Sequence, residues 1–428
     1  MVTADNLNLD VLELIFAFIS GNDLVAVSSV SKSFLAGVIP CLYATVSFTA
    51  KHAKRYRPRG GIMSPFLTLR NHPDLAVHVR YIDIHLHPKF LSETADALQV
   101  CKNLTSFVCE PRILPALLGS LQGKERLQNV HIYAALTTIQ GEMLQKITKL
   151  RSLTLDYPTW NVVDSLTRWA QSLQRTLSHL TIFVPLLPLL PRLRGLHVIG
   201  CSKAPHTVVI KAATTHTPSL KEFSFTIFEN TPPPSLFCLP TITLPSLRHL
   251  AIDVRPTSDV TAVTMSSLFV SLTSLSTLVL KFADRQLPVW SSVIDLIAPP
   301  SAITVPLKRL ALIDCAVSID MVGKLSSRCK DLEMLEIPLP IKDIRAFTTA
   351  ISSLKELHTL TDVGDAHASH GPRATLARND VRYMMQACGN LKTIVSDGRM
   401  WTGHPDFSWV PTPQQHWFFP FEEYSYPS

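Results

Sequence analysis

The chain has 428 residues, with 40 Lys and Arg against 33 Asp and Glu, a net charge of +7. Hydrophobic residues make up 46% and charged ones 17%, the reverse of a disordered chain, and so thin a positive excess gives no ground for expecting a nucleic-acid partner. Only 15 glycines stand against 31 prolines, which disfavours a glycine-rich phosphate-binding enzyme and suits many short elements joined by stiff turns.

The first forty-odd residues predict three short helices and then a strand ending at Val46 and Phe48. Leu12, Ile15, Phe16 and Ile19 make one apolar face of the first helix, and Val11, Leu14 and Phe18 make a second. A helix apolar nearly all round must be covered on both sides, so one face is expected on its own bundle and the other on a partner. Asp5, Asp10 and Glu13 stand where a secretory signal would have a basic start and an apolar run, so none is expected. The basic run Lys51, His52, Lys54, Arg55, Arg57 and Arg59 reads as a solvated hinge, with a nuclear address or nucleic-acid contact as the alternative.

From there one pattern returns: apolar, two variable, apolar, one variable, apolar. Val79-Ile82-Ile84 is an early copy, followed by Leu104-Phe107-Cys109, Leu127-Val130-Ile132, Leu150-Leu153-Leu155 and Leu177-Leu180-Ile182. Next come Leu193-Leu196-Val198, Leu220-Phe223-Phe225, Leu247-Leu250-Ile252, Leu275-Leu278-Leu280, Leu307-Leu310-Leu312 and Leu332-Leu335-Ile337. Leu357-Leu360 and Leu391-Ile394 are frayed copies with Asp362 and Ser396 in the third apolar slot. From Leu104 the steps between copies are 23, 23, 27, 16, 27, 27, 28, 32 and 25 residues, the leucine-rich-repeat period loosely kept. The alternating end of each copy predicts a strand with one buried face, and the segments between carry helical spacing, as in Ile319, Val322, Leu325 and Cys329 or Ile341, Ile344, Phe347, Ile351 and Leu354.

Strand and helix alternating at this period predict an α/β solenoid, parallel strands on its concave face and helices on its convex face. Eight scattered cysteines form no C-x-x-C pair, and the repeat register makes them packing residues in a reducing, intracellular setting. No stretch is long and apolar enough to span a bilayer, so no membrane association is expected. After Trp401 come Trp409, Trp417, Phe418, Phe419, Phe421, Tyr424 and Tyr426 among prolines, read as a strap over the last repeat or, alternatively, a flexible binding tail. The expected organisation is a helical domain over 1–45, first strand and basic hinge over 46–75, solenoid over 76–400 and strap or tail over 401–428.

The N-terminal segment resembles an F-box, carried by Leu7, Asp10, Val11, Leu12, Ile15 and Phe16, then Asp23, Leu24, Val30, Ser31 and Phe34, with Asn8 in place of the motif's proline. Joined to irregular repeats with Pro-Ser-Leu openings at Leu220 and Leu247, it looks like the F-box/leucine-rich-repeat proteins of mushroom-forming fungi. The resemblance implies a substrate-recognition subunit of a Skp–cullin–F-box ubiquitin ligase, in the cytoplasm or nucleus, that performs no catalysis itself and uses no cofactor or metal. By the same resemblance, Leu7, Leu12, Ile15, Phe16, Leu24, Val30 and Phe34 would form the bundle and the surface facing the Skp adaptor. A repeat scaffold that binds protein without a ligase is the alternative.

Variable strand positions point to the concave face, where a protein substrate would bind: Asn129, His131, Ser152, Thr154, His179, Thr181, His197, Glu222, Ser224, His249 and Arg309. They are mixed and not dominated by one charge, and the histidines read as solvated. Asp365, His367 and His370, and His85 with His87, have loose metal-ligand spacing but read as plain loop and strand residues. No catalytic triad motif, P-loop or dinucleotide fingerprint occurs.

Overall fold

A computed structural model describes residues 8–19, 22–48, 64–84, 90–109, 113–132, 137–155, 163–181, 184–199, 205–227, 244–255, 268–269, 272–282, 306–364, 376–397, 399–403 and 409–411. They fall into two compact units, Met1–His197 and Val198–Ser428.

The first unit opens with helices α1 (Leu9–Phe16), α2 (Asn22–Ser28) and α3 (Lys32–Ala44), which runs directly into β1 (Thr45–Phe48). β2 (Tyr81–Ile84), β3 (Ser106–Cys109), β4 (Asn129–Ile132), β5 (Ser152–Leu155), β6 (His179–Thr181) and β7 (Gly195–Val198) follow, each parallel to the one before. Between them lie α4 (Pro65–Asn71), α5 (Pro73–Ala76), α6 (Leu91–Val100), α7 (Leu114–Leu121), α8 (Thr138–Leu144) and α9 (Val163–Leu173). α6 through α9 pack one on the next in chain order. The 16-residue step leaves no room for an α-helix, and the proline-bearing Val184–Leu189 forms a 3-10 helix there instead. Helix α4 is not among the expected elements: Ser64 caps it by accepting from Leu67 N, Pro65 occupies its first turn, and Phe66 packs edge-on against Phe48 at 5.2 Å.

The second unit has β8 (Glu222–Ile227), β9 (His249–Val254), β10 (Thr277–Phe282), β11 (Arg309–Ile313), β12 (Met334–Ile337), β13 (Thr359–Asp362) and β14 (Thr393–Ser396), again parallel in chain order. Its described helices include α10 (His206–His216), α11 (Ile319–Arg328), α12 (Ile344–Ile351) and α13 (Arg378–Ala387). Two antiparallel strands follow among the described residues, β15 (Arg399–Thr402) on β14 and β16 (Trp409–Pro411) on β15. Within each unit the described strands form an open, mainly parallel α/β array compatible with a solenoid.

A single recurring bond pair explains the even register. The carbonyl just after each repeat's first leucine accepts two consecutive N–H groups of the next repeat: Thr105 O from Gln128 and Asn129, Gln128 O from Arg151 and Ser152, Ser276 O from Lys308 and Arg309. The second and third apolar positions are buried wherever they are described, forming one leucine face; the alternate positions form a variable face. Cys101, Cys329 and Cys388 are the C-cap residues of α6, α11 and α13, each donating its backbone N–H four residues back, which is why each stands three residues before a repeat leucine. Burial pushes their thiols up to about 11, so they stay protonated packing groups. Cys201 and Cys238 lie outside the described residues, as do the basic run from Lys51, the His85/His87 and Asp365/His367/His370 groups, and the tail beyond Pro411.

Candidate functional site: the N-terminal helices and the variable strand face

Asn8 stands where the motif has proline, and it caps α1: its side chain accepts from Asp10 N, and its carbonyl accepts from Val11 and Leu12. Ser31 caps α3 by accepting from Phe34 N at 3.2 Å. Leu12, Phe16, Leu24 and Val38 make the bundle core, with Ile19, Val27, Phe34, Cys41 and Leu42 packed against it. The Phe16 and Phe34 rings meet at 5.4 Å. Gly37 is the point of closest approach, since a β-carbon there would lie 2.8 Å from Leu12 Cβ.

The expected adaptor set therefore divides. Leu12, Phe16 and Leu24 are core and Phe34 lines it; Ile15 and Val30 are exposed, at 46% and 64%; Leu7 lies outside the described residues. Ile15 does not share the buried face of Leu12 and Phe16, because eight residues give room for only one narrow buried stripe, here set by positions 12 and 16. Leu9, Val11, Leu14, Val25, Leu35 and Phe18, the last 92% exposed, join Ile15 and Val30. Eight of the twelve exposed large apolar side chains among the described residues thus fall between Leu9 and Leu35. Such crowding on one small bundle is the mark of an interaction surface.

On the variable face of the first unit, register aligns Ser106, Asn129, Ser152, His179 and Gly195 in one row, and His131, Thr154, Thr181 and His197 in the next. Gly195 is small because His179 leans over it: a β-carbon would come 2.3 Å from His179 Cδ2. Thr154 and Thr181 are buried and share a hydroxyl contact at 3.4 Å. Contrary to the sequence expectation, His131 and His197 are half-buried rather than open to solvent. Burial drives the His131 imidazole down to about 4 against the pull of Asp83, and drives His197 to about 4 with His179 adding to the effect. Both are neutral at neutral pH.

In the second unit one row runs Ser224, Ala251, Val279, Ala311, Glu336 and Thr361, and another Glu222, His249, Thr277, Arg309, Met334 and Thr359. Ser224 is buried, while Glu222, His249 and Arg309 are half-buried; Asn129 in the first unit is exposed. The Arg309 guanidinium donates to Glu336 Oε1 at 2.7 Å, and burial raises the Glu336 carboxyl against that pull. The face is thus more buried than an open solvated surface, chiefly because small side chains occupy its middle row. Ion pairs such as Arg309–Glu336 and Arg255–Asp253 were hidden from sequence reasoning, though repeat register lines up their partners once the strands are paired.

Among the described residues no group of three His, Cys, Asp or Glu side chains could hold a metal ion, and no helix is long and apolar enough to cross a membrane. No curated protein matches the chain. The family model of the F-box domain matches residues 5–36, the segment that carries the exposed apolar face, and this supports an F-box protein of the kind that serves as a substrate-recognition adaptor in SCF-type ubiquitin ligases.

Proposed function

We propose that this chain is the substrate-recognition subunit of a Skp–cullin–F-box ubiquitin ligase, in which the N-terminal bundle docks a Skp-type adaptor and leucine-rich-type repeats hold a protein substrate on the variable strand face. The observation that carries the reading is the apolar face spread over α1, α2 and the start of α3, backed by the F-box match over the same residues. Leu14, Ile15, Phe18 and Val30 are its exposed anchors; Leu12, Phe16, Leu24 and Phe34 act by holding the helices in place. The motif gives Leu7 the same adaptor-facing role. The ligase's ubiquitin-conjugating enzyme carries the reactive thiol, so the chain supplies binding and orientation and needs neither catalytic group nor cofactor.

Capture of purified Skp-type adaptor by wild type and by Ile15→Asp/Phe18→Asp tests this. Both side chains are exposed, so the double change removes docking without opening the core. Loss of capture with an unchanged thermal melt is expected. Equal capture by both proteins rejects adaptor docking and leaves a protein-binding scaffold outside any ligase.

A further inference from the structure

The variable face of the second unit carries an apolar cluster of its own: Ala251, Val279, Ala311 and Ile313 with Ile199, against which Val363 packs. Glu336 continues the row of Ala251, Val279 and Ala311, and Asp253 lies two residues beyond Ala251 on the same face. Each of these carboxylates is buried with one oxygen held. Asp253 Oδ2 accepts from Arg255 Nε at 2.9 Å and Thr226 Oγ1 at 3.3 Å, and Glu336 Oε1 accepts from Arg309 Nε at 2.7 Å. Asp253 Oδ1 and Glu336 Oε2 are buried with no hydrogen-bond partner. Buried acceptors are nearly always satisfied, and ionised ones need it most. The cations already present reach outward, Arg255 being 50% and Arg309 29% exposed, while both carboxylates stay at 3%.

We propose that this face receives an extended segment of the substrate bearing two basic residues four positions apart with apolar residues between them, an inference that rests on the substrate-receptor reading. Strands β9 and β12 are three spacings apart, about 14 Å, and the two-residue offset brings the carboxylates to about 16 Å. An extended segment spans that distance in four to five residues, and only the fourth returns its side chain to the same side. The aliphatic stems of the basic residues lie on Val279, Ala311 and Ile313, and their heads reach the two unmatched oxygens. The row is closed in the free chain, so binding includes its opening and association is slow.

Fluorescence anisotropy of the full-length chain with a labelled peptide, lysines at its third and seventh positions and leucines between, tests this. Binding is expected, weakened by about tenfold or more when both lysines are acetylated or moved two positions apart, and by Asp253→Asn or Glu336→Gln. Carbodiimide coupling on the wild-type chain, which avoids any folding defect of a variant, should join peptide lysine to Asp253 or Glu336. No binding, indifference to acetylation, preference for a glutamate version or coupling only elsewhere would overturn the proposal. Adaptor capture is measured on the same preparation: a chain that captures adaptor but ignores the peptide loses this inference and keeps the ligase reading.

Discussion

Asp362 and Ser396 occupy slots where other repeats carry an apolar side chain, and each accounts for the other. Asp362 accepts from Leu339 N–H and Gly364 N–H, both at 3.1 Å, and from the Ser396 hydroxyl at 2.9 Å. Removing the carboxylate takes an acceptor from two N–H groups and a hydroxyl, so Asp362→Ala is expected to cost about 2–4 kcal/mol in urea unfolding. Asp362→Asn should cost less than half of that, and Ser396→Ala about 1 kcal/mol. A double change with a total cost equal to the sum of the single costs would show that the pair is not coupled. The two residues are 34 apart in sequence and looked there like a fraying pattern; only strand pairing brings them together. The half-buried His131 and His197 carry a second prediction. Their folded-state values near 4 lie below the ordinary 6.5, so between those limits the unfolded chain binds more protons. Stability is therefore full above about pH 6.5 and falls as pH drops toward 4, by at most about 3 kcal/mol for each histidine. His131→Gln with His197→Asn should flatten the curve of unfolding free energy against pH in that window; an unaltered slope would place its cause elsewhere.

At the scale of elements, α1 crosses α3 at Gly37, where there is no space for a β-carbon. Gly37→Ala must push Leu12 and Phe16 outward, at a cost of about 1–3 kcal/mol, and should weaken adaptor capture although residue 37 is itself buried. Capture by Gly37→Ala equal to wild type would mean that the crossing does not set the docking face. Gly195 works the other way, as space for a neighbour. Gly195→Ala collides with His179, whose Nδ1 lies 2.8 Å from the Ser178 hydroxyl, and His179→Ala in the same chain should restore most of the lost stability. Neither glycine announces itself in sequence, because a close approach is a property of the pair of elements. The strands do announce themselves: each repeat's three apolar positions are local, and Leu104 to Ile337 could be placed in register from spacing alone. Helix α4 and the terminal hairpin were missed although their signals were present. Ser64-Pro65 is a cap followed by a first-turn proline, and the sequence Asp397-Gly398 is a signal for a two-residue hairpin, with Asp397 at φ 51°. The exposed apolar face of the bundle was half legible, since periodicity shows that α1 is apolar all round but not which stripe faces inward.

For the molecule as a whole, the difficulty of a stacked array lies at its ends. Every inner repeat has its strand edge and core edge covered by the next, whereas the last has no successor. β14 is that last parallel strand, and its free edge is taken by β15 running the opposite way, pairing Ile394 with Trp401 and Val395 with Met400. β16 then pairs Trp401 with Trp409. Reversal is what makes a cover possible in so few residues, because an antiparallel return needs only a tight turn and a further parallel strand would need another helix. Strands β15 and β16 thus lie along the β14 edge, with Trp401 buried among them. A chain ending after Ser396 should expose the β14 ladder and the core beneath Trp401, and associate with rising concentration in light scattering. A chain ending after Pro411 keeps both antiparallel strands and should remain monomeric with a melting temperature close to that of the full chain. Association of both truncated chains to the same degree would assign the cover to the residues beyond Pro411, and monomeric behaviour of both would show that the β14 edge needs none.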